Sequence, residues 1–292
     1  MRISETMRYE GVLRDIAQAQ ERMLKAQQQV SSGKRVTKPS DDPLAASDIL
    51  RVKSEKSEDD QYLRNLTFAR SKLQLSDVVL DSVEQMVERA RILGQSSFSN
   101  PDQAAGYVTE LEGLRDQIIS AANTTYAGRF IFGGTITTQD PYVKNLDSSV
   151  TYIGNSAGMP MQISRTVTVE TQVPGTEIFS GSVNIFDVMS GLVTAIQAGD
   201  QDGIDTQVAN LGQFAEVVAL ARSKVGGYLN HTTHVENNLA AANLSHETEL
   251  SNKEAADLAK AISELTMSEN GLQAALAVGA RISQLSILDY LR

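Results

Sequence analysis

The sequence predicts a mainly α protein: an elongated antiparallel long-helix bundle or coiled coil, formed by the N- and C-terminal parts of the chain, with a small central β domain. Three observations lead to this prediction. Apolar residues recur at helical spacing over most of the 292 residues. Only six prolines interrupt the chain. Between about residues 129 and 181 the helical spacing gives way to the alternation of short strands.

The first helix is predicted to end at Val30. Its apolar stripe is narrow, and two glutamines interrupt it. The stripe residues, three and four apart, are Leu13, Ile16, Gln20, Met23, Gln27 and Val30. Because chain entropy must be offset by packing, such a helix is marginal alone. We expect it to be disordered in the free monomer and to gain its partners on assembly.

The stretch SSGKRVTKPSDDPLAA, residues 31–46, breaks the helical pattern. It contains a glycine that can stop a helix, two prolines that prevent a continuous helix, and an aspartate that can cap the next one. These predicted hinge residues are Gly33, Pro39, Pro43 and Asp42. The basic pair Lys34 and Arg35 is a candidate contact to an acidic neighbouring subunit, and a solvated loop is the alternative.

The second helix can run from Pro43 to Asn100 without a proline. Its apolar residues repeat in heptads, which is typical of a coiled coil. The predicted core residues of this rod are Leu66, Leu73, Leu80, Val83 and Val87. Asn100 and Pro101 then predict the N-cap and first residue of a third helix, which should fold back against the rod and end near Asn123.

The rest of the chain completes the predicted architecture. FIFGG, PYV, VTYIG and residues 161–169 are expected to form strands, followed by a short helix and a long one. A final amphipathic helix carries Leu272, Leu276, Ile282, Leu285 and Leu288. The predicted domains are a terminal coiled coil of residues 1–42 and 252–292, a helical rod of residues 43–130 and 183–251, and a β domain of residues 131–182.

Composition argues against several classes of function. The formal net charge of -10 opposes binding to nucleic acid and to anionic membranes. The chain has no cysteine and no apolar stretch near the roughly 20 residues that span a bilayer. Its start lacks the apolar core of a Sec signal peptide.

No motif predicts catalysis, a cofactor or a metal. The three histidines do not form HExxH, and no phosphate-binding glycine loop is present. Asp41, Asp42 and Asp48 lack the spacing of an EF-hand, so an N-cap role for Asp42 is the simpler interpretation. The sequence therefore predicts a protein that is not an enzyme and needs no cofactor.

Four stretches resemble the flagellin superfamily. They are MRIS at the start, SSGKRVTKPSDDPLAAS at 31–47, GLRDQIISAANTTYAGRFIFGG at 113–134 and LQAALAVGARISQLSILDYL at 272–291. Within the superfamily, they are more similar to the junction subunits between hook and filament than to the filament flagellins.

This resemblance implies an extracellular structural subunit of the bacterial flagellum, exported by the flagellar type III system without a cleaved Sec signal. The implied partners are hook-associated protein 1, flagellin, a flagellar export chaperone at the C-terminal segment, and further copies of the chain in a ring. The apolar residues of the two terminal helices would then be the assembly interface. These predicted interface residues are Leu13, Ile16, Met23, Val30, Leu272, Leu276, Ile282, Leu285 and Leu288.

Three alternatives remain open from the sequence. A filament-forming flagellin would have the same fold but would polymerise by itself. A needle-tip or translocator coiled coil of a virulence system is disfavoured by the β insertion and the paired ends. An enzyme inserted in the middle is remote, because residues 135–182 contain no histidine or cysteine.

Overall fold

The computed structural model describes the backbone of residues 5–146 and 149–290, and the side chains of residues 7, 10–146 and 149–281. Within these residues the long helices are α1 (Glu5–Ser32), α2 (Pro43–Ser99), α3 (Ala104–Ala122), α5 (Ile185–Ala198), α6 (Gln201–Glu254) and α7 (Leu258–Tyr290), and a single turn forms α4 (Gly175–Ile178). A 3₁₀ turn at Pro101–Gln103 precedes α3, and Asn100 makes no side-chain cap there. Asn100 and Pro101 thus take the predicted N-cap and first positions at this turn, although the cap lacks a side-chain hydrogen bond.

Six short strands form three separate antiparallel pairs in the described part of the chain. They are β1 (Thr125–Tyr126) with β2 (Arg129–Phe130), β3 (Tyr142–Lys144) with β4 (Val150–Tyr152), and β5 (Pro160–Gln162) with β6 (Thr168–Glu170). The predicted mainly α architecture, with a small β region between N- and C-terminal helices, is confirmed.

The predicted strand FIFGG ends early. Beyond Phe130 the chain turns, and glycine at position 133 permits this turn, since a Cβ there would lie 2.2 Å from the carbonyl oxygen of Ile136. Gly134 has a φ of 66°, which favours glycine. The turn places Ile131 and Phe132 in the core, where both are fully buried.

The chain divides into two compact units. The terminal unit comprises Met1–Glu58 and Ala241–Arg292, and the central unit comprises Asp59–Ala240. Helices α2 and α6 contribute residues to both. The predicted domain boundaries near residues 42, 130, 182 and 251 stay a prediction.

The central unit has a continuous apolar core between α2, α3, α5 and α6. Aromatic side chains pack against one another where this core meets the strands; they are Phe132, Tyr142, Phe179, Phe186 and Phe214. At Gly94 an added Cβ would lie 2.8 Å from Val208, so glycine lets α2 approach α6 closely. On the surface, Arg222 of α6 pairs with three carboxylates of α2, those of Asp77, Asp81 and Glu84.

The terminal unit has a much smaller core. Helix α1 packs against α7, with the small residues Ala26 and Ala261 buried. A separate cluster joins Val36, Ala46 and Ile49. Since few large apolar residues are buried in this unit, its stability depends more on polar contacts and on whatever covers its surface.

Candidate assembly interface

Helix α1 packs against α7, and among its predicted interface residues Ile16 lies at this contact. Ile16 and Val12 lie over Gly279 of α7, where an added Cβ would be 3.2 Å from each. Ile16, Met23 and Val30 are half-buried. The structure thus brings the middle of the N-terminal stripe against α7.

Two of the predicted interface residues remain largely open to solvent. Leu13 is 49% exposed and Leu276 is 50% exposed, whereas Leu272 is half-buried. Six further large apolar side chains described on α1 and α7 are exposed to a similar or greater degree: Met7, Leu24, Leu258, Ile262, Met267 and Val278. Apolar surface repeated along paired helices in this way is typical of a protein interaction site.

Three predicted interface residues belong to the last part of α7. The side chains of Ile282, Leu285 and Leu288 lie outside the described part of the structure. Their role in assembly stays a prediction.

The predicted hinge residues fall at the break between α1 and α2. Gly33 follows α1 with a φ of 66°, and its N–H donates to the carbonyl of Gln29 at 2.9 Å. Pro39 is exposed in the loop, and Pro43 is the first residue of α2. The Asp42 carboxylate accepts from the N–H of Ala45 at 3.0 Å, as an N-cap does. Hinge motion at this break stays a prediction.

The basic pair at the break has partners within the chain. Lys34 Nζ lies 2.9 Å from Glu254 Oε2, and Arg35 lies 3.1 Å from Asp42 Oδ2. The Arg35 guanidinium also donates to the carbonyl oxygen of Lys253 at 3.3 Å. Both basic residues thus have acidic partners within the chain, because α6 ends beside the loop; a contact of this pair with a neighbouring subunit stays a prediction.

The Asp41 carboxylate makes several hydrogen bonds within the same loop. Its Oδ2 accepts from the N–H groups of Thr37 and Lys38 and from the Thr37 hydroxyl, while Oδ1 lies 2.8 Å from Lys25 Nζ. The hydrogen bond from Lys25 and then that from the Lys38 N–H hold the pKa of Asp41 well below its usual range.

Glu254, at the end of α6, is the residue that the sequence analysis missed. Its side chain is only 12% exposed, and it pairs with both Lys34 and Lys53. Burial raises the pKa of Glu254, but the hydrogen bonds from the two lysines outweigh burial and lower it below the usual 4.5. This pairing therefore stabilises the fold above about pH 4.5 and is lost as the pH falls through the lowered pKa.

The predicted rod-core residues are all buried in the central unit. Leu66 packs with Tyr62, Ile163 and Leu239, near β5 and β6. The other four, Leu73, Leu80, Val83 and Val87, belong to the main core. Their exposures of 0–2% show that the heptad stripe of α2 faces inward within one chain.

The described residues were also compared with the requirements of a metal site and of a membrane-spanning helix. Among them, no group of three or more His, Cys, Asp or Glu side chains is placed to hold a metal ion. None of the helices in the described ranges combines bilayer-spanning length with sufficient hydropathy.

Comparison with known proteins identifies the family. The model of the bacterial flagellin N-terminal helical region matches residues 3–137. The chain is 30% identical over 303 residues to flagellar hook-associated protein 3 of Salmonella typhimurium, covering 99% of this chain and 89% of that protein. The chain belongs to the flagellar hook-associated protein 3 family. It is a structural component of the bacterial flagellum.

Two further comparisons concern a second relative in sequence and a solved structure. Flagellar hook-associated protein 3 of Escherichia coli is 26% identical over 317 residues, covering 99% of both chains. A solved structure described as a flagellar hook-associated protein from Vibrio parahaemolyticus has a TM-score of 0.69 and 23% identity, and covers 74% of this chain and 100% of that one. Most of this chain therefore has the same fold as that flagellar hook-associated protein.

Proposed function

We propose that this chain is the junction adaptor that connects the hook, through hook-associated protein 1, to the flagellin filament. It acts as a scaffold and not as an enzyme. The observation that carries the proposal is the exposed apolar surface on the paired helices α1 and α7, in a chain of the hook-associated protein 3 family.

The exposed residues supply a driving force for assembly. Leu13 and Leu276 are about half exposed in the single chain. When a neighbouring subunit covers this apolar surface, the free energy of association gains roughly 25 cal/mol per Å² of surface buried. Repeated around a ring of identical subunits, and continued toward hook-associated protein 1 below and flagellin above, this contribution favours the assembled state.

The route to that position is also part of the proposal. The chain passes through the flagellar type III export system, and an export chaperone holds its C-terminal segment until it leaves the cell. A terminal unit with few large buried side chains suits this route, since it loses little packing when it unfolds. A chain without cysteine needs no oxidative folding after export.

Deletion of the gene in the bacterium that carries it tests the adaptor role. We expect cells that retain hooks, lack attached filaments and release flagellin into the medium, because the filament has no base on which to grow. Complementation with the intact gene should restore filaments. Attached filaments in the deletion strain would refute the proposal, and loss of the major filament protein itself would show that the chain is a flagellin.

A further inference from the structure

The two chain breaks of the terminal unit lie directly against each other. One break is the loop 33–42 between α1 and α2, and the other is the segment 255–257 between α6 and α7. The N–H of Arg35 donates to the carbonyl of Glu254 at 2.6 Å, and the N–H of Ala256 donates to the carbonyl of Gly33 at 2.9 Å. Each break thus satisfies backbone groups that the other leaves without a helical partner.

The Glu254 carboxylate ties three segments together at this contact. Its Oε2 accepts from Lys34 in the loop, and its Oε1 pairs with Lys53 of α2. Glu254 itself ends α6, and it is 12% exposed while each lysine is about half exposed. A carboxylate with this little access to water depends on both cations for its solvation.

We infer that these contacts form a latch, which makes the two breaks open and close together. The latch consists of the Lys34, Lys53 and Glu254 side chains and the two backbone hydrogen bonds of Arg35 and Ala256. As a result, α1 and α7 move together, and not one at a time, relative to the start of α2 and the end of α6. This coupling is a property of the single chain and holds whether or not the chain joins hook to filament.

The physical reason for coupling is that neither break can move without removing partners from the other. If the loop moves, Glu254 loses Lys34 and Ala256 loses its acceptor. If the end of α6 moves, Arg35 loses its acceptor and Lys34 its anion. The Glu254 carboxylate is only 12% exposed, so the loss of one cation is costly, and partial opening is disfavoured relative to full opening.

Hydrogen exchange in the full-length monomer tests the latch at single amides. The change is Glu254→Gln, which keeps the size of the side chain and removes its charge. We expect the amides of Arg35 and Ala256 to lose protection together, each by about tenfold or more, as for the loss of a charge-assisted hydrogen bond. The amides of Gly33 and Ala255 are internal references, because they bond back to Gln29 of α1 and Ser251 of α6 and not across the two breaks.

A matched control and a second variant keep the test decisive. Glu264→Gln removes the same charge from α7, where Glu264 lies 4.0 Å from Lys260, and should change neither amide. Lys34→Met alters only the loop side. Deprotection of Ala256 as well as Arg35 in Lys34→Met supports the latch, even if Glu254→Gln were too unstable to study. Deprotection of one amide alone, or of neither, in Lys34→Met would overturn it.

Discussion

At the scale of single residues, Lys72 is unusual because its charge has no carboxylate partner among the described residues. Its side chain is 4% exposed, and its ammonium donates to Gln172 Oε1 at 2.7 Å. Gln172 in turn donates to the carbonyl of Gly134 at 2.8 Å. Burial lowers the pKa of Lys72 from 10.5 to about 8, and the charge of Arg129 adds to the effect.

The lowered pKa of Lys72 predicts a rise in stability with pH. Between about pH 8 and pH 10.5 the unfolded chain holds a proton on Lys72 that the folded chain has released. The free energy of unfolding should therefore increase from about pH 7 to about pH 9.5, and Lys72→Met should lack this increase. Urea unfolding at both pH values measures this increase in the free energy of unfolding. Lys260→Met, at an exposed lysine, is the control and should show the same increase as the parent.

The upper limit of this pH window is set by two phenols, the buried Tyr142 and the half-buried Tyr152. Burial raises the pKa of Tyr152 from 10.0 to about 12 and also raises the pKa of Tyr142. Above pH 10 the unfolded chain loses these protons first, so stability falls. An equal rise in Lys72→Met and the parent below that limit would contradict the role of Lys72.

Among the described residues, Ala127 is the one residue other than glycine that has a positive φ. It has a φ of 50° and is followed by Gly128 with a φ of 75°, in a two-residue turn between Tyr126 and Arg129. Such a turn favours asparagine at the first position, whereas alanine is strained there. Ala127→Asn should therefore raise the free energy of unfolding by about 0.5–1 kcal/mol. A lower unfolding midpoint in urea would show that the alanine methyl group has a packing role.

At the scale of elements, α1 and α2 use their leucines differently. Leu80 of α2 is 0% exposed in the main core, whereas Leu13 of α1 is 49% exposed. Leu80→Ala should lower the free energy of unfolding of the monomer by about 2–5 kcal/mol. Leu13→Ala should lower it by less than about 1 kcal/mol. Chemical denaturation of each monomer compares them, and equal losses would mean that Leu13 is part of the monomer's own core.

The helices could be predicted from the sequence because their signal is local. The heptad repeat of α2 requires only that Leu73 and Leu80 face the same side of one helix. The C-terminal glycine and the aspartate cap around residues 33–42 are also local signals, and the structure places Gly33 and Asp42 accordingly.

The features that the sequence did not predict depend on residues far apart in the chain. In FIFGG the chain turns after Phe130 and brings Gly133 close to the carbonyl oxygen of Ile136. The alternation of apolar residues does not reveal this close approach. Arg35 and Lys34 face Glu254 because α6 ends beside the loop, some 220 positions later in the sequence. Glu254 carried no signal of its own, since a glutamate near a helix end usually lies on a solvated surface.

At the scale of the whole molecule, apolar burial is unequal between the two units. The central unit buries a continuous core and needs no partner to account for it. The terminal unit buries little, and its paired helices keep Leu13 and Leu276 about half exposed. In our account this remaining surface is what a neighbouring subunit covers, so fold stability and assembly depend on different residues.

The substitution Leu276→Asp tests this account most directly. It places a charge on the exposed apolar side of α7, and Asn270→Asp places the same charge about 120° away around the helix. We predict that cells carrying Leu276→Asp release flagellin and lack attached filaments, while cells carrying Asn270→Asp keep their filaments. The purified Leu276→Asp protein should unfold in urea at the same concentration as the parent. Attached filaments and normal motility in Leu276→Asp would contradict the account.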